Sequence, residues 1–144
     1  MPRSISHYTG WAATFGVAAE LSRRGYDAAI TIGNTPTRDL LCTAPSGDTF
    51  AVQVKGARSH NWVPIQKALL ELGPRLDLYL IVVLTPPDTT SPFEFHVLTH
   101  AEAGELYGLQ RKVRRDGQPY KGGMEGLAWS DVRPHKDRWD KLPA

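Results

Sequence analysis

Asp39, Gln53 and Lys55 are the residues of this sequence whose types and spacing point most directly to chemistry. They sit in the stretch TRDLLCTAPSGDTFAVQVKG, residues 37 to 56, where an aspartate opens one apolar segment, a Pro-Ser-Gly-Asp turn follows, and a second apolar segment carries a Gln and a Lys two apart. In a strand the side chains alternate, so Phe50, Val52 and Val54 face one way and Ala51, Gln53 and Lys55 the other. Folding the hairpin about the Ser46–Gly47 bond sets Asp39 across from Val54. One residue of turn offset, or a bulge, sets it across from Gln53 or Lys55. In each case a carboxylate, an amide oxygen and an ammonium converge on one patch of sheet. A hard divalent cation such as Mg²⁺ takes oxygen ligands from one or two side chains and leaves the rest of its shell to water and substrate phosphate. Asp39 and the Gln53 carbonyl oxygen are candidate metal ligands. A lysine beside them is suited to orient the attacking water and to offset charge developing on a phosphate. The chemistry implied is metal-assisted phosphodiester hydrolysis.

The elements that must position this trio follow from periodicity and punctuation. Residues 8 to 24 predict a helix, with Trp11, Phe15, Ala18, Ala19 and Ser22 repeating at three and four, Thr9 as N-cap and Gly25 as its stop. Residues 26 to 33 alternate as a strand, and residues 39 to 43 and 49 to 56 form the hairpin around APSGD. Pro64 and the pair Gly73-Pro74 bracket a short helix expected over 64 to 72. The nearly continuous apolar run at 77 to 85 reads as a central strand covered on both faces, 93 to 99 as a further strand, and 100 to 115 as a helix capped by Thr99. A last helix is expected near 130 to 141. The order describes one α/β domain, a mixed central sheet flanked by helices.

At these residues the sequence resembles the PD-(D/E)XK nuclease superfamily, which includes restriction enzymes, Holliday-junction resolvases and some homing endonucleases. The segments VAAELSRRGYDAAITIGN, RDLL and VQVKG occur in the expected order, followed more weakly by LYLIVVLT, FEFHVLT and DRWDKL. The resemblance implies a restriction-endonuclease-like fold, an Mg²⁺- or Mn²⁺-dependent DNA endonuclease activity, and catalytic roles for Asp39, Gln53, Lys55 and Glu20. Asp39 takes the position of the metal-binding aspartate and Lys55 that of the catalytic lysine. Gln53 stands where a second acid is usual, as in the Gln-x-Lys branch that contains homing-type endonucleases. Glu20 takes the place of the helix acid found in several branches, which would make it a third metal ligand. Its residue-level alternative is an i,i+4 surface partner for Arg24. Arg38 precedes Asp39 where the motif name has proline, and Ala13-Thr14 stands where related chains carry Gly-Glu. Because one such domain cuts one strand, cleavage of both strands implies a homodimer.

Composition sets the wider frame. With 144 residues, 41% of them hydrophobic and 22% charged, the chain has the make-up of one ordinary globular domain. No apolar run approaches the roughly 18 residues that cross a bilayer, so no membrane partner is expected. The N-terminus lacks a secretory layout and Cys42 is alone, so the expected location is cytoplasmic. The formal net charge is +2, but the cations cluster at 111 to 115 and 133 to 141. Arg58, Lys67, Arg111, Lys112, Arg114 and Arg115 are the candidate contacts to nucleic-acid phosphates. The five histidines are spread without zinc spacing, and Trp62 in the RSHNW loop is a candidate for stacking on a base or a partner. Two other readings stand beside the nuclease: a catalytically inactive nuclease-fold protein that binds DNA or protein as an accessory, and a mixed α/β binding domain whose hairpin patch is polar surface.

Overall fold

The computed structural model describes residues 2–32, 38–65, 75–109 and 126–144. Helix α1 spans Ile5–Arg23 and begins earlier than its periodicity suggests. Ser4, not Thr9, is the N-cap and accepts the His7 N–H through Oγ, while Thr9 Oγ1 donates to the Ile5 carbonyl from inside the helix. The helix ends as expected at Gly25, whose φ of +89° lets the Gly25 and Tyr26 amides return to the carbonyls of Ser22 and Leu21.

Strands β1 (Asp27–Ile30), β2 (Leu40–Thr43), β3 (Thr49–Ala57), β5 (Leu78–Leu84) and β6 (Glu94–Thr99) form one sheet in the order β1-β2-β3-β5-β6. All neighbours are antiparallel except β3 and β5, which run parallel. This is a mixed α/β fold. Every residue of β5 is buried, as its apolar run requires of a strand covered on both faces. A second, two-stranded sheet pairs β4 (Val63–Pro64) with β7 (Gly126–Leu127). Pro64 therefore lies in a strand, not at the start of a helix, and residues 66 to 72 of that expected helix lie outside the described residues. Helix α2 (His100–Leu109) is capped by Thr99 as expected, and the cap is reciprocal: the Glu102 N–H donates to Thr99 Oγ1 and the Thr99 N–H to Glu102 Oε1, while residues 110 to 115 of the expected helix lie outside the described residues.

The sheet has a core on each face. On one, Val52, Val54, Ile81 and Val83 pack with Ala13, Val17 and Leu21 of α1 and with Trp139 near the C-terminus. On the other, Ala51, Leu80 and Val82 pack with Val63, Leu127 and Trp129. The face of α1 that meets the sheet is thus Thr9, Ala13, Val17 and Leu21, and the stripe of Trp11 and Phe15 points to solvent. Close approach explains the choice. A Cβ built on Gly56 would lie 2.9 Å from the Thr9 carbonyl oxygen and 3.1 Å from the Ala13 Cβ, a separation that no aromatic side chain fits.

The C-terminal segment is not the single helix expected. A short helix α3 (Trp129–Val132) gives way to two 3₁₀ turns, Arg133–His135 and Trp139–Lys141. Pro134 lacks an amide hydrogen and Asp137 takes a φ of +55°, so no α-helix runs through. Three of the four Lys and Arg residues of this segment are used internally, Lys136 with Glu94 at 3.0 Å, Arg138 with Asp140 at 2.9 Å and Lys141 with Glu102 at 2.9 Å, and Arg133 is exposed. No helix among the described residues is long and apolar enough to cross a membrane.

Candidate active site

The hairpin turn decides where Asp39 falls. The Gly47 amide donates to the Ala44 carbonyl, the Ala44 amide to the Asp48 carbonyl, and Gly47 takes a φ of +93°. The turn therefore holds three residues, 45 to 47, and its midpoint is Ser46 instead of the Ser46–Gly47 bond. Leu40 pairs with Val52 and the ladder stops there: the Asp39 amide also donates to the Val52 carbonyl, so Asp39 and Leu40 face one partner as in a bulge, and the Asp39 carboxylate accepts the Val54 N–H. The turn is thus offset by one residue and a bulge follows it, so Asp39 sits beside the Val52–Val54 stretch that carries Gln53.

Beyond this point β3 runs on to Ala57 while β2 has ended, which leaves a notch in the sheet. A cleft of about 360 Å³ occupies it, walled by Asp39, Gln53 and Lys55, by Ser6, His7, Gly10, Trp11 and Thr14 of α1, and by the end of β1 and the two residues after it. Thr31 anchors the entry to β2: its amide donates to the Asp39 carbonyl at 3.0 Å and its hydroxyl to the Arg38 carbonyl at 2.7 Å.

Asp39 is held at both ends. Its amide donates to the Val52 carbonyl at 2.9 Å, and its Oδ2 accepts the Val54 N–H at 2.8 Å. Burial raises its carboxyl above the usual range, opposed by the Val54 N–H and the nearby Lys55 ammonium. Gln53 is 6% exposed and its Oε1 has no hydrogen-bond partner. A buried oxygen left unpaired costs about 1–3 kcal/mol. Lys55 is half-buried beside them. An orphaned amide oxygen and a desolvated carboxylate are donors that fit a hard divalent cation, which would satisfy the first and neutralise the second.

Glu20 does not reach this cleft. Its carboxylate pairs with Arg23 at 3.3 Å and Arg24 at 3.5 Å, and it lies six residues past Thr14, roughly 9 Å further along the helix. Among the described residues no group of three or more His, Cys, Asp or Glu is arranged to hold a metal. Arg58 is exposed just beyond β3. Lys67, Arg111, Lys112, Arg114 and Arg115 lie outside the described residues. His60 faces Glu94 at 3.6 Å and packs on Trp129, and the Trp62 indole lies so close to Gly126 that a Cβ there would meet its Nε1 at 2.5 Å. Trp62 thus lies against β7 while remaining 39% exposed. The α1 wall of the cleft was missing from the sequence-based set, yet residues 7, 10, 11 and 14 follow the i, i+3, i+4, i+7 spacing of one helix flank.

No protein-family model and no curated protein sequence matches the chain. Among solved structures it is similar to a bacterial homing endonuclease, I-Ssp6803I, with a TM-score of 0.55 and 16% identity over 96% of this chain and 91% of that one. The likeness is one of fold: a five-stranded mixed sheet flanked by helices, similar to that of a nuclease.

Proposed function

We propose that the chain is a metal-dependent DNA endonuclease of the PD-(D/E)XK type in its Gln-x-Lys form. The observation that carries this reading is the meeting of the Asp39 carboxylate, the unpartnered Gln53 Oε1 and the Lys55 ammonium in one cleft at the sheet notch. The fold similarity to a homing endonuclease supports DNA as the substrate. Mg²⁺ or Mn²⁺ would be held by Asp39 and Gln53, and when bound would polarise the scissile phosphate and acidify a water. Val54 keeps Asp39 Oδ2 fixed, leaving Oδ1 for the cation. Lys55 donates to the attacking water or to a phosphate oxygen and offsets the charge that builds there. Arg58 contributes to holding the DNA backbone. In the test, supercoiled plasmid incubated with the protein and Mg²⁺ passes to the nicked form, and chelation with EDTA stops it.

One observation favours a second reading. Among the described residues Asp39 is the one carboxylate lining the cleft, and α1 offers it His7 and Thr14 but no acid. A protein that binds DNA tightly without nicking it in Mg²⁺ or Mn²⁺ would be the accessory form of the same fold.

A further inference from the structure

The outer face of α1 carries a surface that the candidate active site leaves largely unused. Tyr8, Trp11 and Phe15 are 60%, 42% and 57% exposed, and Ile5 is 62% exposed at the start of the helix. With Ala19 and Ser22 they recur at three and four on the side opposite the buried Thr9, Ala13, Val17 and Leu21. Trp11 and Phe15 stack with centroids 5.4 Å apart. Single exposed apolar residues are ordinary, but a continuous aromatic stripe marks an interaction surface. From Ile5 to Ala19 the chain holds no Asp, Glu, Lys or Arg.

We propose that this stripe is the interface of a homodimer in which α1 packs antiparallel against α1 of a second copy, with the two-fold axis beside Phe15. The lack of charge selects the occupant. Nucleic-acid surfaces and helices that lie on membranes recruit Lys and Arg, and from Ile5 to Ala19 this helix has none, its exposed Arg23 standing only at the far end of the stripe. Two copies of an uncharged face meet without like-charge repulsion. Size matches as well. In a two-fold pair residue i meets j and j meets i, and centring on Phe15 sets Tyr8 against Ser22 and Trp11 against Ala19 of the second copy. The bulky half of each helix meets the small half of the other. An aromatic side chain buries about 150–250 Å² when fully covered, so three half-exposed rings and Ile5 supply on the order of 400 Å² per copy. Doubled, that is about 800 Å² of the roughly 1,200–2,000 Å² in a stable interface, before the small residues and flanks are added. That area belongs to the small interfaces of weak, transient association, so a concentration-dependent dimer is expected. The proposal is independent of the nuclease reading.

The test is sedimentation equilibrium of the full chain, without DNA, from about 1 to about 100 μM, a range in which a weak dimer forms. The mass of the wild type rises from one chain toward two. Phe15→Glu, which brings two like charges together on the axis, keeps the mass of one chain throughout at an unchanged Tm. Register is read by cysteine cross-linking under oxidation, in which the buried Cys42, its thiol pushed up to about 11, stays silent. Phe15→Cys forms a covalent dimer. Tyr8→Cys does so only when mixed with Ser22→Cys. A wild type that stays at one chain's mass at the highest concentration, a Phe15→Glu protein that dimerises like wild type, or a Tyr8→Cys protein that links to itself as readily as to Ser22→Cys, overturns the proposal.

Discussion

The carboxylate of Asp39 holds the backbone N–H of Val54 at 2.8 Å, joining the entry of β2 to the part of β3 that runs past it. That hydrogen bond fixes an acid at the sheet notch, where burial works against its charge.

The first consequence is a trade between stability and function at Asp39. Its folded-state pKa lies above the ordinary value of 3.8, so its contribution to stability is full below that value and is lost as pH rises through the folded pKa. At pH 7 the ionised carboxylate therefore opposes folding. Asp39→Asn keeps an acceptor for Val54 and removes the charge. Its expected Tm at pH 7 without metal equals or exceeds that of the wild type, while cleavage falls on the order of 100-fold or more. Calorimetric melting alongside a cleavage assay checks both.

Gln53 should behave in the same spirit. Gln53→Met removes the orphaned oxygen at similar volume and is expected to raise metal-free stability by about 1–3 kcal/mol. Gln53→Glu adds a second buried carboxylate, so it should melt below wild type at pH 7 without metal and regain stability on addition of Mg²⁺. Melting with and without Mg²⁺ distinguishes the two directions.

Gly56→Ala tests the seating of α1. The added methyl would press on the Thr9 carbonyl at 2.9 Å and on Ala13 at 3.1 Å. Overpacking of this kind costs about 1–3 kcal/mol. Because α1 is also a wall of the cleft, cleavage should fall as well, and urea denaturation with m unchanged would separate lost stability from a loosened native state.

Acid should loosen the C-terminal segment. Burial and the Lys141 ammonium hold the His135 imidazole below its ordinary value of 6.5, opposed by Glu102; Arg138 and His96 also face it. Burial lowers His96 too, opposed by the Val82 carbonyl, Glu94 and Asp137, with Lys136 adding to the lowering. Both depressed pKa values mean stability that is present above about 6.5 and lost as pH falls through the folded values. Glu94 and Glu102 are lowered from 4.5, Glu94 chiefly by its bond to Lys136 and Glu102 by the Thr99 amide and Lys141 against its own burial, and their contributions are lost at still lower pH. Unfolding free energy measured at intervals from pH 8 to pH 2 should be flat, fall as the histidines charge, and fall again below about 4.5 as Glu94 and Glu102 are protonated, with protonation of Asp39 opposing the loss. A flat profile down to pH 5 would contradict the histidine assignment.

Much of this was legible in the chain because local chemistry and tertiary packing agree there. The Pro-Ser-Gly-Asp turn between two apolar segments specifies a hairpin, the run 78 to 84 can only be a covered strand, and Thr99 caps the helix that follows it. The misses have physical causes. Gly47 takes a positive φ that makes the turn one residue longer than a fold about its central bond, which sets Leu40 against Val52, and a bulge then places Asp39. Helix α1 has two apolar stripes, and periodicity favours the aromatic one, whereas the sheet at Gly56 admits only the small one. Glu20 is satisfied by Arg23 and Arg24 on its own helix, a local pairing that spacing alone left open. Pro134 ended the terminal helix that its apolar and basic residues suggested.

The most direct test of the central claim is cleavage of DNA in Mg²⁺ by wild type, Asp39→Asn and Lys55→Ala proteins of matched fold, measured under single-turnover conditions with enzyme in excess. The expected result is cleavage by the wild type and losses on the order of 100-fold or more in both variants, with their DNA binding retained. Equal cleavage by all three proteins, or none by the wild type in Mg²⁺ or Mn²⁺, would contradict the assignment of the cleft as a nuclease site.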